Sequence, residues 1–291
     1  MSNFFIEKIL NNRYNINKLL ILNNIHKLFI LKKENNMILT IANQKGGVGK
    51  TTTAHSLISI LAAKGYKVLG IDLDPQGNLS FSFKADVYNV PTIYEVMSKK
   101  VSVNEVIQHV EDFDIIPANI MLAGIEQEIS YRTGKEYCLK ENIDSIFQNY
   151  DFIIIDTPPS LGILTINAFT ASDKILIPTT PGIFATFGIN QLNETIKSVK
   201  KYCNSNLEIL GILFTKFNPR INVNKQLKEL VIQLSEHISE SSIIHIFDVY
   251  IRNSVVVEEL QANQKSIFNY NKKSVVIEDY KNFIDEFLSI I

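Results

Sequence analysis

Between residues 38 and 53 the chain reads ILTIANQKGGVGKTTT, an apolar run that breaks into glycines and closes on a lysine and three threonines. Those residue types in that order suit the binding of a polyphosphate. Gly46, Gly47 and Gly49, with Val48 among them, let the backbone curl round an anion, because glycine takes left-handed conformations cheaply and lets main-chain N–H groups come close. The spacing predicts a helix over 51–64 whose positive N-terminal end faces the same anion. Lys50 is placed to reach the β and γ phosphates of a nucleoside triphosphate, and Thr51, with Thr52 beside it, to bring a hydroxyl to Mg²⁺. The common pattern GxxxxGK[ST] asks for a glycine at 44. Gln44 stands there instead, and an additional lysine, Lys45, stands at the entrance of the loop.

Two further stretches end in carboxylates. Residues 71–80, IDLDPQGNLS, carry Asp72 and Asp74 at i and i+2, so that both project to one side of an extended strand before Pro75 stops it. Beside a phosphate such groups hold Mg²⁺ through water or orient the water that attacks the terminal phosphate; standing alone, DPQG would be an ordinary turn. Residues 152–160, FIIIDTPPS, deliver Asp156 from four apolar residues, the pattern of a buried strand supplying one carboxylate to a metal. The Thr-Pro-Pro that follows makes a stiff loop suited to sensing the γ-phosphate.

The elements needed to bring these residues together are legible as alternation. Strand-like runs recur at 38–42, 67–72, 113–116, 151–156, 174–178, 209–215 and 243–247, and helical spacing falls between most of them, over 51–64, 139–150, 184–202 and 223–238. Strands alternating with helices imply an α/β protein with a parallel sheet covered on both faces. Ligands of such sheets bind at the carboxyl ends of the strands, where Asn43, Asp72, Asp74, Asp156 and Thr215 fall.

A chain of 291 residues with 46% hydrophobic content can bury a large core, and its net charge of −1 gives no global attraction to nucleic acid or membrane. Two cysteines, Cys138 and Cys203, are too few for a disulfide framework or a CxxC metal site, and the five histidines show no metal-ligand spacing. The first 36 residues carry six cations against two carboxylates, and their apolar pieces, 19–22 and 28–31, are too short for a membrane span or a signal-peptide core. They are expected to form a poorly ordered extension ahead of one domain, 37–291, the other reading being a short membrane- or partner-binding helix.

Taken together, KGGVGKTTTA, IDLDPQGNLS and DFIIIDTPPSLG resemble the deviant Walker A ATPases of the ParA/Soj chromosome and plasmid partition family, in the larger group that includes MinD and the nitrogenase iron protein. The resemblance extends through 116–129, 177–192, 211–220 and 251–268, and so covers essentially all of residues 37–290. It implies a single P-loop NTPase domain with a mostly parallel twisted sheet, a slow Mg²⁺-dependent ATPase, and a homodimer when ATP is bound. By the same resemblance Lys45 reaches the partner's phosphates, Asp74 orients the attacking water, Asp72 supports the Mg²⁺ side and Asp156 is the Walker B carboxylate. Phe217 falls where the family contacts adenine, a core or surface aromatic being the alternative. A ParB-like activator, sequence-independent binding of double-stranded DNA and a cytoplasmic, nucleoid-associated location are also implied.

Sequence-independent DNA binding rests on Lys and Arg meeting phosphates. From residue 216 onward nine cations face ten anions. Only a folded arrangement could make Arg220, Lys225, Lys228 and Arg252 a patch; otherwise they are solvated surface charges. The chain ends DEFLSII, unlike the basic amphipathic C-terminal helix of MinD-like proteins, so no stable membrane association is expected. The alternative is a MinD-like or other positioning ATPase acting on a membrane or protein cargo. The cysteines match no iron–sulfur position, and 36 residues are too few for a helix-turn-helix domain.

Overall fold

The apolar runs become the strands of an eight-stranded sheet in the order β3-β4-β2-β5-β1-β6-β7-β8. The strands are β1 (Met37–Ile41), β2 (Val68–Asp72), β3 (Gln108–Val110), β4 (Phe113–Ile116), β5 (Phe152–Asp156), β6 (Lys174–Thr179), β7 (Glu208–Phe214) and β8 (His245–Ile246). The long helices are α1 (Lys50–Ala63), α2 (Ile163–Ala171), α3 (Ile183–Tyr202), α4 (Asn222–Ile238) and α5 (Val275–Ile290). The computed structural model describes residues 36–238, 244–256 and 274–291. The expectation for the N-terminal extension and the end of the 251–268 stretch lie outside the described residues, as does residue 243.

The middle of the sheet follows from composition. β1, β2 and β5 are buried along their whole length, as strands covered on both faces are, and their near-continuous apolar sequences need no polar side. Successive side chains serve opposite faces. Leu39, Ile41, Phe152 and Ile154 join Leu57 and Leu61 of α1 and Tyr280, Phe283 and Phe287 of α5 in one core. Ile38, Leu69, Ile71, Ile153 and Ile155 join Leu164 and Ala168 of α2 in a second. The strand pairs are parallel except β3–β4.

Three features differ from the expectation. The helix expected over 139–150 is broken into a short helix, Cys138–Ile143, and a single 3-10 turn, Phe147–Asn149. The Asn142 amide donates to the Cys138 carbonyl and the Ser145 hydroxyl to that of Asn142, side-chain bonds that compete with helix continuation. The short strand β3, folded back on β4, closes the sheet with an antiparallel edge. The third is a pair of helices outside the expected spans, α2 and α5, the latter sharing its apolar stripe with the core of α1.

Candidate active site

The chain leaves β1 into the glycine-rich loop at the carboxyl edge of the sheet. Gly47 (φ 71°) and Gly49 (φ 83°) take left-handed conformations, which side chains disfavour, whereas Gly46 does not. Gly49 is the N-cap of α1; no side chain caps that helix and no acidic residue sits in its first turn. A helix start of this kind leaves backbone donors and the positive end of the dipole to an external anion.

The loop is held from below by hydrogen bonds. Asn43 donates from its amide to the Pro178 carbonyl at 2.8 Å and accepts the Lys45 N–H at 2.9 Å. The Thr215 hydroxyl, just past the end of β7, donates to the Val48 carbonyl at 2.7 Å, and Val48 is buried. The Thr157 hydroxyl donates to the Ile41 carbonyl at 2.9 Å. Polar residues at three strand ends thus tie the loop to the sheet.

A cavity of about 600 Å³ opens above this floor, lined by Gly46, Gly47, Gly49, Lys50, Thr51 and Thr52 on one side. Asp74, Gln76, Asn78, Phe81 and Pro159 form another part of its wall, and Thr215, Lys216, Ile251, Arg252, Asn253, Ser254 and Tyr280 the remainder. Its size is that of a small-molecule site. Lys50 is nearly buried, with Nζ 3.4 Å from the Lys45 carbonyl oxygen. Burial pulls its ammonium below the usual value, opposed by the nearby charges of Asp156 and Asp74.

The three aspartates differ in environment. Asp72 is fully buried and both its oxygens are engaged: Oδ1 accepts the Asp74 N–H at 3.0 Å, and Oδ2 accepts the Ser80 N–H at 2.9 Å and the Ser80 hydroxyl at 2.7 Å. Burial still pushes its carboxyl up to about 6. This carboxylate, expected on the metal side, folds the loop that carries Asp74. Asp74 is 8% exposed and lines the cavity, its Oδ1 accepting the Gln76 N–H at 3.0 Å. Asp156 is 0% exposed, and among the described residues no donor meets either of its oxygens at hydrogen-bond geometry. Burial, and then the adjacent Asp72, hold its carboxyl well above the usual carboxylate range; Thr51 and Lys50 nearby oppose this more weakly. A buried carboxylate without a hydrogen-bond partner, close to Lys50 and Thr51, is a donor set that fits a hard divalent cation such as Mg²⁺.

Not all of the sequence candidates meet here. Lys45 is exposed and does not line the cavity; its Nζ lies 3.3 Å from the Thr180 hydroxyl, and a β-carbon at 182 would sit 3.6 Å from it. Phe217 is 4% exposed, packed against Tyr250 and Phe214 with ring centroids 4.8 and 5.9 Å away, and does not line the cavity. Arg220 and Lys225 are exposed, without an ion-pair partner among the described residues. Lys228 is half-buried with its ammonium 5.7 Å from the Phe214 ring. Arg252 stands apart from them, in the cavity wall and ion-paired with Asp279. Ile251, Asn253, Ser254 and Tyr280 line the cavity although their residue types carry no local signal for it; the first three fall in the 251–268 stretch of the family resemblance.

Comparison with known proteins agrees with this geometry. Residues 36–209 match the family model described as AAA domain. The chain is 39% identical to the sporulation initiation inhibitor protein Soj of Bacillus subtilis (strain 168) over 86% of this chain and 97% of that protein. It is 37% identical to the chromosome partitioning protein ParA of Myxococcus xanthus (strain DK1622) over 84% of each. Among solved structures, cobyrinic acid a,c-diamide synthase from Mycobacterium smegmatis, with bound ADP and magnesium, superposes with a TM-score of 0.74 at 32% identity, covering 87% of this chain and 94% of that one. With its glycine-rich loop, the buried Asp156 beside it and a likeness to Soj and ParA over 84–86% of its length, the chain belongs to the ParA/Soj family of P-loop ATPases.

Proposed function

We propose that residues 37–291 form an ATP-hydrolysing switch for the segregation of chromosome or plasmid DNA, and that ATP binds in the cavity with its phosphates on the start of α1. The observation that carries this reading is Asp156, buried close to Lys50 and Thr51 at an uncapped helix start and, among the described residues, met by no donor at hydrogen-bond geometry. The backbone of residues 46–52 cradles the phosphates and Lys50 neutralises the β and γ groups. Thr51 and Asp156, with Asp72 behind them, would hold Mg²⁺, which would supply neutralisation of the phosphate charge. Asp74 orients the attacking water, so that ATP and water give ADP and phosphate. Pro159, in the wall beside it, places the loop after β5 where it responds to the γ-phosphate.

Lys45 completes the site of a second copy. Its head rests outside its own cavity against Thr180, which is consistent with a cation delivered across a dimer interface. Dimerisation then depends on ATP, and the slow turnover is raised by a ParB-like activator. The dimer binds duplex DNA without sequence preference, with Arg220 and Lys225 as the exposed cations available to phosphates; the site of action is the nucleoid in the cytoplasm.

The test is the rate of Mg-ATP hydrolysis and the binding of duplex DNA, each measured with and without a ParB-like protein encoded beside this one. Hydrolysis raised by that protein and DNA binding that requires ATP and weakens with salt are expected. Hydrolysis indifferent to Lys50→Ala, or ATP-dependent binding to anionic vesicles in place of DNA, would overturn the reading.

A further inference from the structure

Two of the four carboxylates of helix α5, Asp279 and Glu286, stand seven residues apart and therefore about two turns along one face. Both grip the segment that follows β8. Glu286 accepts the backbone N–H of Asp248 at 2.8 Å and of Val249 at 3.0 Å. Asp279, 6% exposed, accepts the backbone N–H of Arg252 at 3.1 Å and the Arg252 Nε–H at 2.9 Å, and its other oxygen meets the guanidinium again. The segment is also tied to β7, by the Ile251 N–H to the Phe214 carbonyl at 2.8 Å and the Phe217 N–H to the Ile251 carbonyl at 3.0 Å. On the adjoining part of that face α5 packs through Tyr280, Phe283 and Phe287 into the core it shares with α1, with the Tyr280 hydroxyl 3.4 Å from that of Thr53. One helix therefore joins the phosphate end of the cavity to the wall formed by residues 251–254.

We propose that Asp279, acting through Arg252, is a positioning residue for the nucleotide. The clasp sets residues 251–254 as the wall that receives the nucleoside, and it commits Arg252 to this site instead of a DNA surface. This rests on the reading of the cavity as an ATP site: with the phosphates at the start of α1, the wall left for base and ribose is this one. A bidentate, charge-assisted pair with one partner nearly buried holds the loop in its binding geometry before the ligand arrives. Without the clasp, ligand binding must order the loop, and that cost enters the affinity. Lys50, Asp74 and Asp156 are not contacted by the clasp, so the contacts made in the transition state stay in place and the loss is one of uniform binding.

The experiment is calorimetric titration of the full chain with Mg-ATP, together with steady-state hydrolysis, for Arg252→Gln, Asp279→Asn and the double variant. Each single change is expected to raise Kd and KM about tenfold, with kcat held within about twofold and the double change no worse than either single one. Arg252 is half-exposed and Arg252→Gln keeps an amide donor for Asp279, so it gives the measurement even where Asp279→Asn lowers expression. Additive losses, a fall in kcat with KM unmoved, or an unchanged Kd with weakened duplex DNA binding would each overturn the proposal. A wild-type chain that takes up no Mg-ATP would bring down the ATP reading and the clasp with it. ATP binding that is lost in Lys50→Ala but intact in Arg252→Gln would bring down the clasp alone.

Discussion

Asp72 and Asp156 end two adjacent parallel strands in register with each other, both fully buried, and among the described residues Asp72 alone of the two has donors at hydrogen-bond geometry. Two carboxylates in that relation repel, so in the absence of a cation the site works against the fold. Their raised values mean that the folded pair keeps protons which the unfolded chain releases. The cost therefore appears as pH rises through about 6 for Asp72, and it is absent below the ordinary carboxylate range.

Asp156→Asn is accordingly expected to stabilise the nucleotide-free protein by about 1 kcal/mol while abolishing Mg-ATP hydrolysis. Denaturant titrations at about pH 8 and about pH 5 should give the larger gain at the higher value. Equal gains at both, or a loss of stability, would show that the pair does not repel in the folded state.

The Thr215 hydroxyl meets the Val48 carbonyl across a separation of 167 residues. Thr215→Val keeps the volume and removes the donor, leaving a buried carbonyl short of a partner at a cost of about 1–2 kcal/mol. Since Val48 lies between the two left-handed glycines, KM for ATP is expected to rise several-fold alongside the fall in denaturation midpoint. A stability loss with no change in KM would mean that the loop keeps its shape unaided.

Lys45 and Lys50 separate by position. Lys50→Ala removes the cation at the phosphate end of the cavity and is expected to abolish Mg-ATP binding by a single chain. Lys45→Ala, at a residue outside the cavity, should weaken that binding far less and abolish ATP-dependent dimerisation, as read by light scattering after size exclusion. Dimerisation surviving in Lys45→Ala would remove the cross-interface role.

His55 is buried in α1 with its ring stacked on Phe83 at 4.2 Å, and burial lowers its value from the usual 6.5 to about 4. The folded chain keeps the ring neutral where the unfolded chain protonates it. Its contribution is therefore complete above 6.5 and is lost as pH falls towards 4, roughly 3 kcal/mol in all at about 1.4 kcal/mol per unit. His55→Phe should flatten that part of the stability curve relative to the wild type. Parallel curves for the two proteins would count against a buried neutral imidazole.

Much of the fold and the heart of the site were legible in the chain. Strands such as β1, β2 and β5 are apolar throughout because both their faces are covered, and that condition is written in consecutive residues. Gly47 and Gly49 announce left-handed backbone and Lys50 and Thr51 a helix start, all within one turn of each other. Information carried by near neighbours survives without the fold. The break after Ile143 was hidden because the competing bonds of Asn142 and Ser145 look like ordinary helix-face polarity until their partners are seen.

What spacing could not supply is which distant groups become neighbours. Phe217 and Arg252 carry an aromatic and a cation anywhere in the chain; packing buried the first against Tyr250 and paired the second with Asp279 in the cavity wall. Asp72 and Asp156 each end a strand, yet their repulsion exists only because β2 and β5 adjoin in register. The ends of the chain segments thus declare their chemistry locally, while its strength is set by burial and by the crossings of the chain, which depend on contacts far apart in sequence.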